Sequence, residues 1–339
     1  MKLITYRQNN HEQLGFIYQD HVFELRSVDG RITGSMLTFL REWELYIQLA
    51  AGAEQRLRDF PVLLSTALPI GEIEWLAPVP RPPSLRDGYA FRQHVAAARR
   101  NRSVPMIPQF DQYPVFYFGN HHSVVGPGEI TCMPDHLDKL DFELEVAVVI
   151  RRKGRNIRAK DADEFIGGLM IMNDFSARTL QREEMLLNLG PAKGKDFATA
   201  LGPWLATPDE LRPFEVPCKR DHTGKTWNLK MSAAINGKQI SEGNLSDMDW
   251  TFAEIIERAS YGADLFPGDV IGSGTVGTGC LLELNGTAKL NFRDYEEQWL
   301  EPGDEITLSV EGLGELCNSV VRKDDDFSIL KQKKNPDPA

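Results

Sequence analysis

The chain opens with three short apolar runs, at residues 2–6, 14–18 and 21–25, separated by polar turns, and this pattern predicts a small sheet. Over residues 35–60, Met36, Phe39, Leu40, Trp43, Tyr46, Ile47 and Leu49 recur at three- and four-residue steps, the spacing of a helix. Trp75-Leu-Ala-Pro-Val-Pro-Arg-Pro-Pro83 cannot lie inside a helix and reads as an extended connection. The pattern therefore divides the chain into a small N-terminal α+β domain at 1–75, a larger domain at 76–330 and a polar tail at 331–339. Asn236-Gly237 between two alternating runs predicts a hairpin, residues 250–259 have helical spacing, and Pro267-Gly-Asp269 and Pro302-Gly-Asp304 each turn the chain into a strand.

Alternation is clearest at residues 140–150. Leu140, Phe142, Leu144, Val146, Val148 and Ile150 share one face of a strand, and Asp141, Glu143 and Glu145 share the other. Two glutamates roughly 6–7 Å apart at their Cα atoms repel each other and resist desolvation. Taken alone, the stretch reads first as a half-exposed strand with a solvated acidic face; a hard divalent cation between the glutamates is the other reading. If residues 84–100 are helical, Asp87 and His94 stand seven residues apart on one face, with Tyr89 and Arg92 nearby. The apolar strand at 169–172 leads into Asn173-Asp-Phe-Ser-Ala-Arg178, where Asp174 either caps the next helix or enters a site at the strand end. Arg178 and Gln181 share a helix face, and the loop after them offers Lys195 and Thr199.

Composition narrows the function. The chain has 42% hydrophobic and 26% charged residues, which is ordinary for a globular protein and gives no sign of disorder. A net charge of -11 argues against nucleic acid or an anionic membrane as partner, so an anionic substrate needs a local cationic pocket; Arg92, Arg99, Arg100 and Arg102 form one basic cluster. The polar first ten residues and the lack of a long apolar run predict a cytoplasmic protein. Cys132, Cys218, Cys280 and Cys317 are widely spaced and read as buried reduced thiols. Gly272-Ser-Gly-Thr-Val-Gly277 matches a dinucleotide fingerprint in letters. However, residues 280–285 look like another strand where a helix is required, so a glycine-rich loop over a substrate, with Thr275 in contact, fits better and no nucleotide is expected.

Five stretches in order carry a resemblance: Asp87-Gly-Tyr-Ala-Phe-Arg-Gln-His94, Glu143-Leu-Glu145, Asn173-Asp-Phe-Ser-Ala-Arg-Thr-Leu-Gln181, Gly194-Lys-Asp-Phe-Ala-Thr199, and Ser273-Gly-Thr275 followed by Leu282-Glu-Leu284. Over residues 80–321 the chain resembles the fumarylacetoacetate hydrolase family. The resemblance implies an α+β fold, with a small N-terminal domain and a β-rich C-terminal domain of mixed sheets forming a β-roll, and a homodimer. It implies a divalent cation on Asp87, Glu143, Glu145 and Asp174, with Mg²⁺ expected first and Mn²⁺ or Ca²⁺ as alternatives. His94 would activate water and Glu283 orient it. Arg178, Gln181 and Lys195 would stabilise the reacting oxygens, Tyr89, Tyr117 and Thr275 would line the substrate pocket, and Lys195 and Thr199 would serve a second ion. Under this resemblance the solvated-face reading of the glutamates and the capping role of Asp174 both give way.

The expected reaction is hydrolysis of a carbon–carbon bond in an anionic β-diketo acid, fumarylacetoacetate first, in phenylalanine and tyrosine breakdown. Acylpyruvate hydrolysis, decarboxylation and isomerisation are the alternatives on the same fold; a nicotinamide oxidoreductase and a non-catalytic metal-bound module are more remote. The chain departs from the family pattern at Gly88, where an aromatic residue is expected. Ser103 stands where a substrate-binding arginine is expected, with Arg102 adjacent, and Met185 stands in place of a pocket tyrosine.

Overall fold

The computed structural model describes residues 1–60, 62 and 67–334. Its centre is a 12-stranded mixed sheet. Ten strands run across it in the order Leu68–Pro69, His21–Glu24, His11–Tyr18, Lys2–Gln8, Thr199–Ala206, Ile166–Asp174, Leu144–Ile150, Val270–Gly272, Leu85–Gly88 and Phe116–Gly119. A second, 5-stranded sheet runs Lys238–Asn244, Lys230–Ile235, Glu305–Val310, Gly314–Arg322 and Gly128–Cys132. The β-rich α+β architecture expected from the sequence is the one observed, with large mixed sheets and few helices.

Alternation explains the layering. Leu144, Val146, Val148 and Ile150 point into the main core, where they meet Met231, Ala233, Ile306, Leu308 and Leu316 of the second sheet. Ala147 and Val149 point the other way and pack with Met36, Phe39, Leu40 and Trp43 from the helices Met36–Arg41 and Trp43–Asp59. The central strand is thus buried on both faces, unlike the half-exposed strand suggested by its acidic face. It is also interrupted: Leu140–Asp141 pairs with Ser176–Ala177, and the ladder resumes only at Leu144.

The three N-terminal strands form as the pattern predicts, and Lys2–Gln8 pairs antiparallel with Thr199–Ala206, so the large sheet runs on from residues 1–75 into the rest of the chain. The helical stretch at 35–60 is two helices, kinked at Glu42. Asn236 and Gly237 both take positive φ and close the predicted hairpin with Ile235 opposite Lys238. The helix Phe252–Ser260 is started by a capping box between Thr251 and Glu254. Of the four free cysteines, Cys132 and Cys280 are buried, while Cys218 and Cys317 are only half-buried. No helix among the described residues is long and apolar enough to cross a membrane. Within the tail expected at 331–339, residues 335–339 lie outside the described residues.

Candidate active site

Two sequence expectations about local structure change here. Asp87 and His94 do not share a helix. Asp87 lies on the strand Leu85–Gly88, paired parallel with Val270–Gly272, and His94 lies on the separate helix Arg92–Arg100. The two residues meet in one site because the chain turns between them at Tyr89-Ala-Phe91, where Ala90 N donates to Ser273 O. Residues 281–291, expected to begin as a strand, form the helix Leu281–Asn291. Its first amides, Leu281 N and Leu282 N, donate to the Asp141 carboxylate at 2.7 and 3.0 Å, and this distant acceptor satisfies the helix start where local spacing is ambiguous. The glycine-rich stretch therefore does lead toward a helix. Its amides nevertheless serve anions of the protein itself: Gly274 N donates to Asp87 Oδ1 and Glu145 Oε2, both at 3.1 Å, where a pyrophosphate would be repelled.

The acidic side chains converge from three strands of the large sheet or their ends, Ile166–Asp174, Leu144–Ile150 and, beyond Val270–Gly272, Leu85–Gly88. Asp87, Glu143 and Glu145 are all buried, and one carboxylate oxygen from each lies within 4.8 Å of the others. Asp174, at the end of Ile166–Asp174, joins them through one shared cation, Lys195, rather than by capping the next helix, which begins after Ala177 without a side-chain cap. Lys195 Nζ donates to Glu143 Oε2 at 2.5 Å and to Asp174 Oδ2 at 2.7 Å, and Tyr117 OH also donates to Asp174 Oδ2. Arg178 Nη2 donates to Glu143 Oε1 at 2.8 Å, and its Nη1 donates to Gln181 Oε1 at 3.0 Å.

The charges are unevenly matched. Burial pushes the Asp87 carboxyl up to about 7, with the Asp174 charge adding to the effect. Burial, Asp87 and Glu143 raise Glu145 well above the ordinary carboxylate range. Burial raises Asp174 as well, against the pull of Lys195. Glu143 is the exception: burial acts upward, but Lys195 and Arg178 hold it down to about 2. Among the described residues neither Asp87 nor Glu145 has an ion pair with a protein cation, so in the metal-free fold their raised pKa values favour the protonated forms. Buried, all-oxygen and short of positive charge, the cluster fits a hard divalent cation.

Next to the carboxylates, buried His94 holds its Nδ1 2.7 Å from Oε2 of buried Glu283. Nδ1–H donation to the carboxylate leaves Nε2 as the proton acceptor. Tyr89 stands edge-on to His94 at 6.0 Å, and Thr275 Oγ1 donates to Glu145 Oε1 at 3.3 Å. Thr199 is buried directly across the ladder from Asp174. A cavity of about 250 Å³ opens beside Lys195, lined by Tyr117, Phe118, Asn120, Pro191 and Ala192. Arg102 is exposed, with Nε on Ala98 O, and lies outside the buried cluster, although its charge reaches the Tyr89 hydroxyl. Met185, 51% exposed, also lies outside it. At Gly88 a Cβ would come within 2.9 Å of Gly272 O, so the backbone contact itself excludes the aromatic residue of the family pattern.

Asp141 is the residue that sequence reasoning placed on the acidic face without assigning it a task. Fully buried, it accepts from Arg178 Nε at 2.8 Å, from the first two amides of the Glu283 helix and from Phe142 N at 2.9 Å. Its two-residue spacing from Glu143 was visible in the sequence, but partners 37 and 140 residues away were not.

The family model described as fumarylacetoacetate (FAA) hydrolase C-terminal matches residues 84–321. The chain is 31% identical over 320 residues to fumarylacetoacetase of Oryza sativa subsp. japonica, covering 80% of this chain and 73% of that one. It is 30% identical over 308 residues to the mitochondrial oxaloacetate tautomerase FAHD2A of Homo sapiens, covering 88% and 84%. Among solved structures, maleylpyruvate hydrolase of Sphingobium sp. SYK-6, in complex with manganese(II) ion and pyruvate, shares the fold with a TM-score of 0.65 at 18% identity, over 95% of this chain and 99% of that one.

Proposed function

The chain belongs to the fumarylacetoacetate hydrolase family, and from that premise we propose that it is a divalent-cation-dependent enzyme hydrolysing a carbon–carbon bond in a β-diketo acid, with fumarylacetoacetate as substrate and fumarate and acetoacetate as products. The observation that carries the reading is a buried, charge-deficient carboxylate trio beside a His94–Glu283 pair. Asp87, Glu143 and Glu145, with Asp174 next to them, would hold the cation, Mg²⁺ first among the hard ions. When bound, it would supply Lewis-acid polarisation of paired carbonyl oxygens and a counter-charge for a leaving enolate.

The remaining chemistry belongs to the side chains. Glu283 holds His94 in the tautomer whose Nε2 takes a proton from water, and it stabilises the imidazolium that results. Lys195 has three N–H donors, and Glu143 and Asp174 engage two of them. The third is free for an oxyanion. Gln181 accepts from Arg178 through Oε1, which leaves its Nε2 amide as a second donor to the same region. No covalent enzyme intermediate is required, because water is the nucleophile.

The decisive assay follows fumarylacetoacetate ultraviolet absorbance in the presence of Mg²⁺ and again with chelator. Metal-dependent loss with fumarate and acetoacetate as products supports the proposal. An inert fumarylacetoacetate sample alongside metal-dependent turnover of oxaloacetate enol or an acylpyruvate would replace it with the second reading. That reading is favoured by the likeness to an oxaloacetate tautomerase and by the departures from the fumarylacetoacetase sequence pattern at Ser103 and Met185. We extend the family's homodimer to this chain on the exposure of Leu186, Leu187 and Leu189, each more than three-quarters exposed. Sedimentation at a monomer mass across micromolar concentrations would remove that extension.

A further inference from the structure

Arg178 and Gln181 lie on the helix Arg178–Met185, and three residues further on, Glu184 continues the same face. The chain leaves this helix through an exposed excursion, with Leu186 78% and Leu189 82% exposed, and returns alongside the helix to deliver Lys195. The return is clipped by one side chain. The Glu184 carboxylate accepts from three successive backbone amides: Ala192 N at 2.9 Å, Lys193 N at 2.5 Å and Gly194 N at 3.2 Å. Gly194 lies so close to Gln181 that a Cβ there would come within 2.6 Å of Gln181 N, and Gly194 O accepts from Ala177 N at 2.8 Å. The next residue is Lys195, whose ammonium is buried between Glu143 and Asp174.

We propose that Glu184 is a positioning residue for Lys195: by gathering the amides of Ala192, Lys193 and Gly194 it fixes the loop that drives the Lys195 ammonium into the carboxylate cluster. A carboxylate on three N–H groups is a strong, short-range clamp. Without it, the amides of Ala192, Lys193 and Gly194 lose their shared acceptor, and the residue before Lys195 gains conformational freedom. The proposal assigns the helix Arg178–Met185 a second task, since it carries two oxygen-binding side chains and also sets the third from behind. It rests on the reading of the site as a cation-dependent centre. It also predicts opposite signs for two properties that ordinary damage would move together. Releasing Lys195 frees oxygens of Glu143 and Asp174 and removes a competing positive charge, so a divalent cation binds more tightly even as the oxyanion donor is lost.

The test compares the full chain with its E184A, E184Q and K195A variants. In metal-free protein, acetylation of Lys195 by acetic anhydride, read by mass spectrometry, rises about tenfold in E184A and less in E184Q, whose amide oxygen still accepts. In calorimetric titration with Mn²⁺, E184A tightens binding by about three- to tenfold, in the direction of K195A, with its melting temperature nearly unchanged. Wild-type protection of Lys195 in E184A overturns the proposal. So does weaker Mn²⁺ binding accompanied by a lowered melting temperature, which marks general loosening. A wild-type chain that binds no Mn²⁺ refutes the cation-dependent reading instead, and Lys195 acetylation still decides the role of Glu184.

Discussion

His94 shows how much of this site depends on a single partner. Its Nδ1 is engaged by Glu283 189 residues away in the sequence, in a buried setting where an unpaired imidazole would be poorly oriented. His94 is absent from the carboxylate trio, so its removal separates chemistry from cation binding. His94→Ala is expected to lower turnover by about 10²- to 10⁴-fold while Mn²⁺ affinity stays within a few-fold of wild type. Near-normal rates in that variant would take the general-base role from His94. Asp174 teaches the complementary lesson at this scale. Its local sequence suited an N-cap as well as a ligand; the family resemblance favoured the ligand, and Lys195 and Tyr117 both meet its Oδ2 while the next helix starts without a side-chain cap.

At the scale of elements, the site is a junction of strand ends. Leu85–Gly88 and Val270–Gly272 pair in parallel next to Leu144–Ile150, and Gly274, two residues past Val270–Gly272, links the outer two through Asp87 and Glu145. Gly274 has φ +79, and a Cβ on it would come within 2.6 Å of Gly88 O, while its N–H joins Asp87 to Glu145. Gly274→Ala therefore combines left-handed strain with a backbone clash, and a loss of about 2 kcal/mol or more is expected. Calorimetry should register this as a lower melting temperature, accompanied by weaker Mn²⁺ binding as Asp87 and Glu145 move apart. Unaltered values for both would mean that the turn does not set the carboxylates. The helices contribute differently: Arg92–Arg100 and Leu281–Asn291 each bring one member of the His94–Glu283 pair, and Asn101 Nδ2 donating to Glu283 O at 3.2 Å ties them together.

For the molecule as a whole, concentrating buried carboxylates makes stability and cation binding depend on pH. Asp87 has its pKa raised from 3.8 to about 7 in the metal-free fold, so between those values the folded chain holds a proton that the unfolded chain has lost. Its contribution to stability is therefore full below pH 3.8 and disappears as pH rises through about 7. Buried His136, stacked on Phe197, is lowered from 6.5 to about 4, and its contribution runs the other way, present above pH 6.5 and lost toward pH 4. A cation must displace the proton of Asp87 and any held by Glu145, so Mn²⁺ affinity should weaken by about tenfold or more per pH unit below 7. Titrations in buffers of different ionisation enthalpy should report at least one proton released per ion at pH 6. Release of no proton at that pH would contradict the assigned state of the cluster.

What the sequence determined by itself was local and chemical. Period-two and period-3.6 patterns predicted the N-terminal strands, the helical stretch at 35–60 and the Asn236-Gly237 hairpin, because each rests on neighbours within a few residues. The residue types of the site, from Asp87 through Glu283, were likewise visible through motifs in their order. The family resemblance had already set aside a solvated acidic face at 140–150, and the structure buries it, whereas the tertiary structure alone put Asp87 on a strand and His94 on another element and made residues 281–291 helical. The same holds for the clamps at Asp141 and Glu184, neither marked by any motif. The physical reason is common to all of these. A helix start or a buried charge is satisfied by whichever group the fold brings to it, and for this site those groups come from strands, helices and loops scattered between residues 87 and 283.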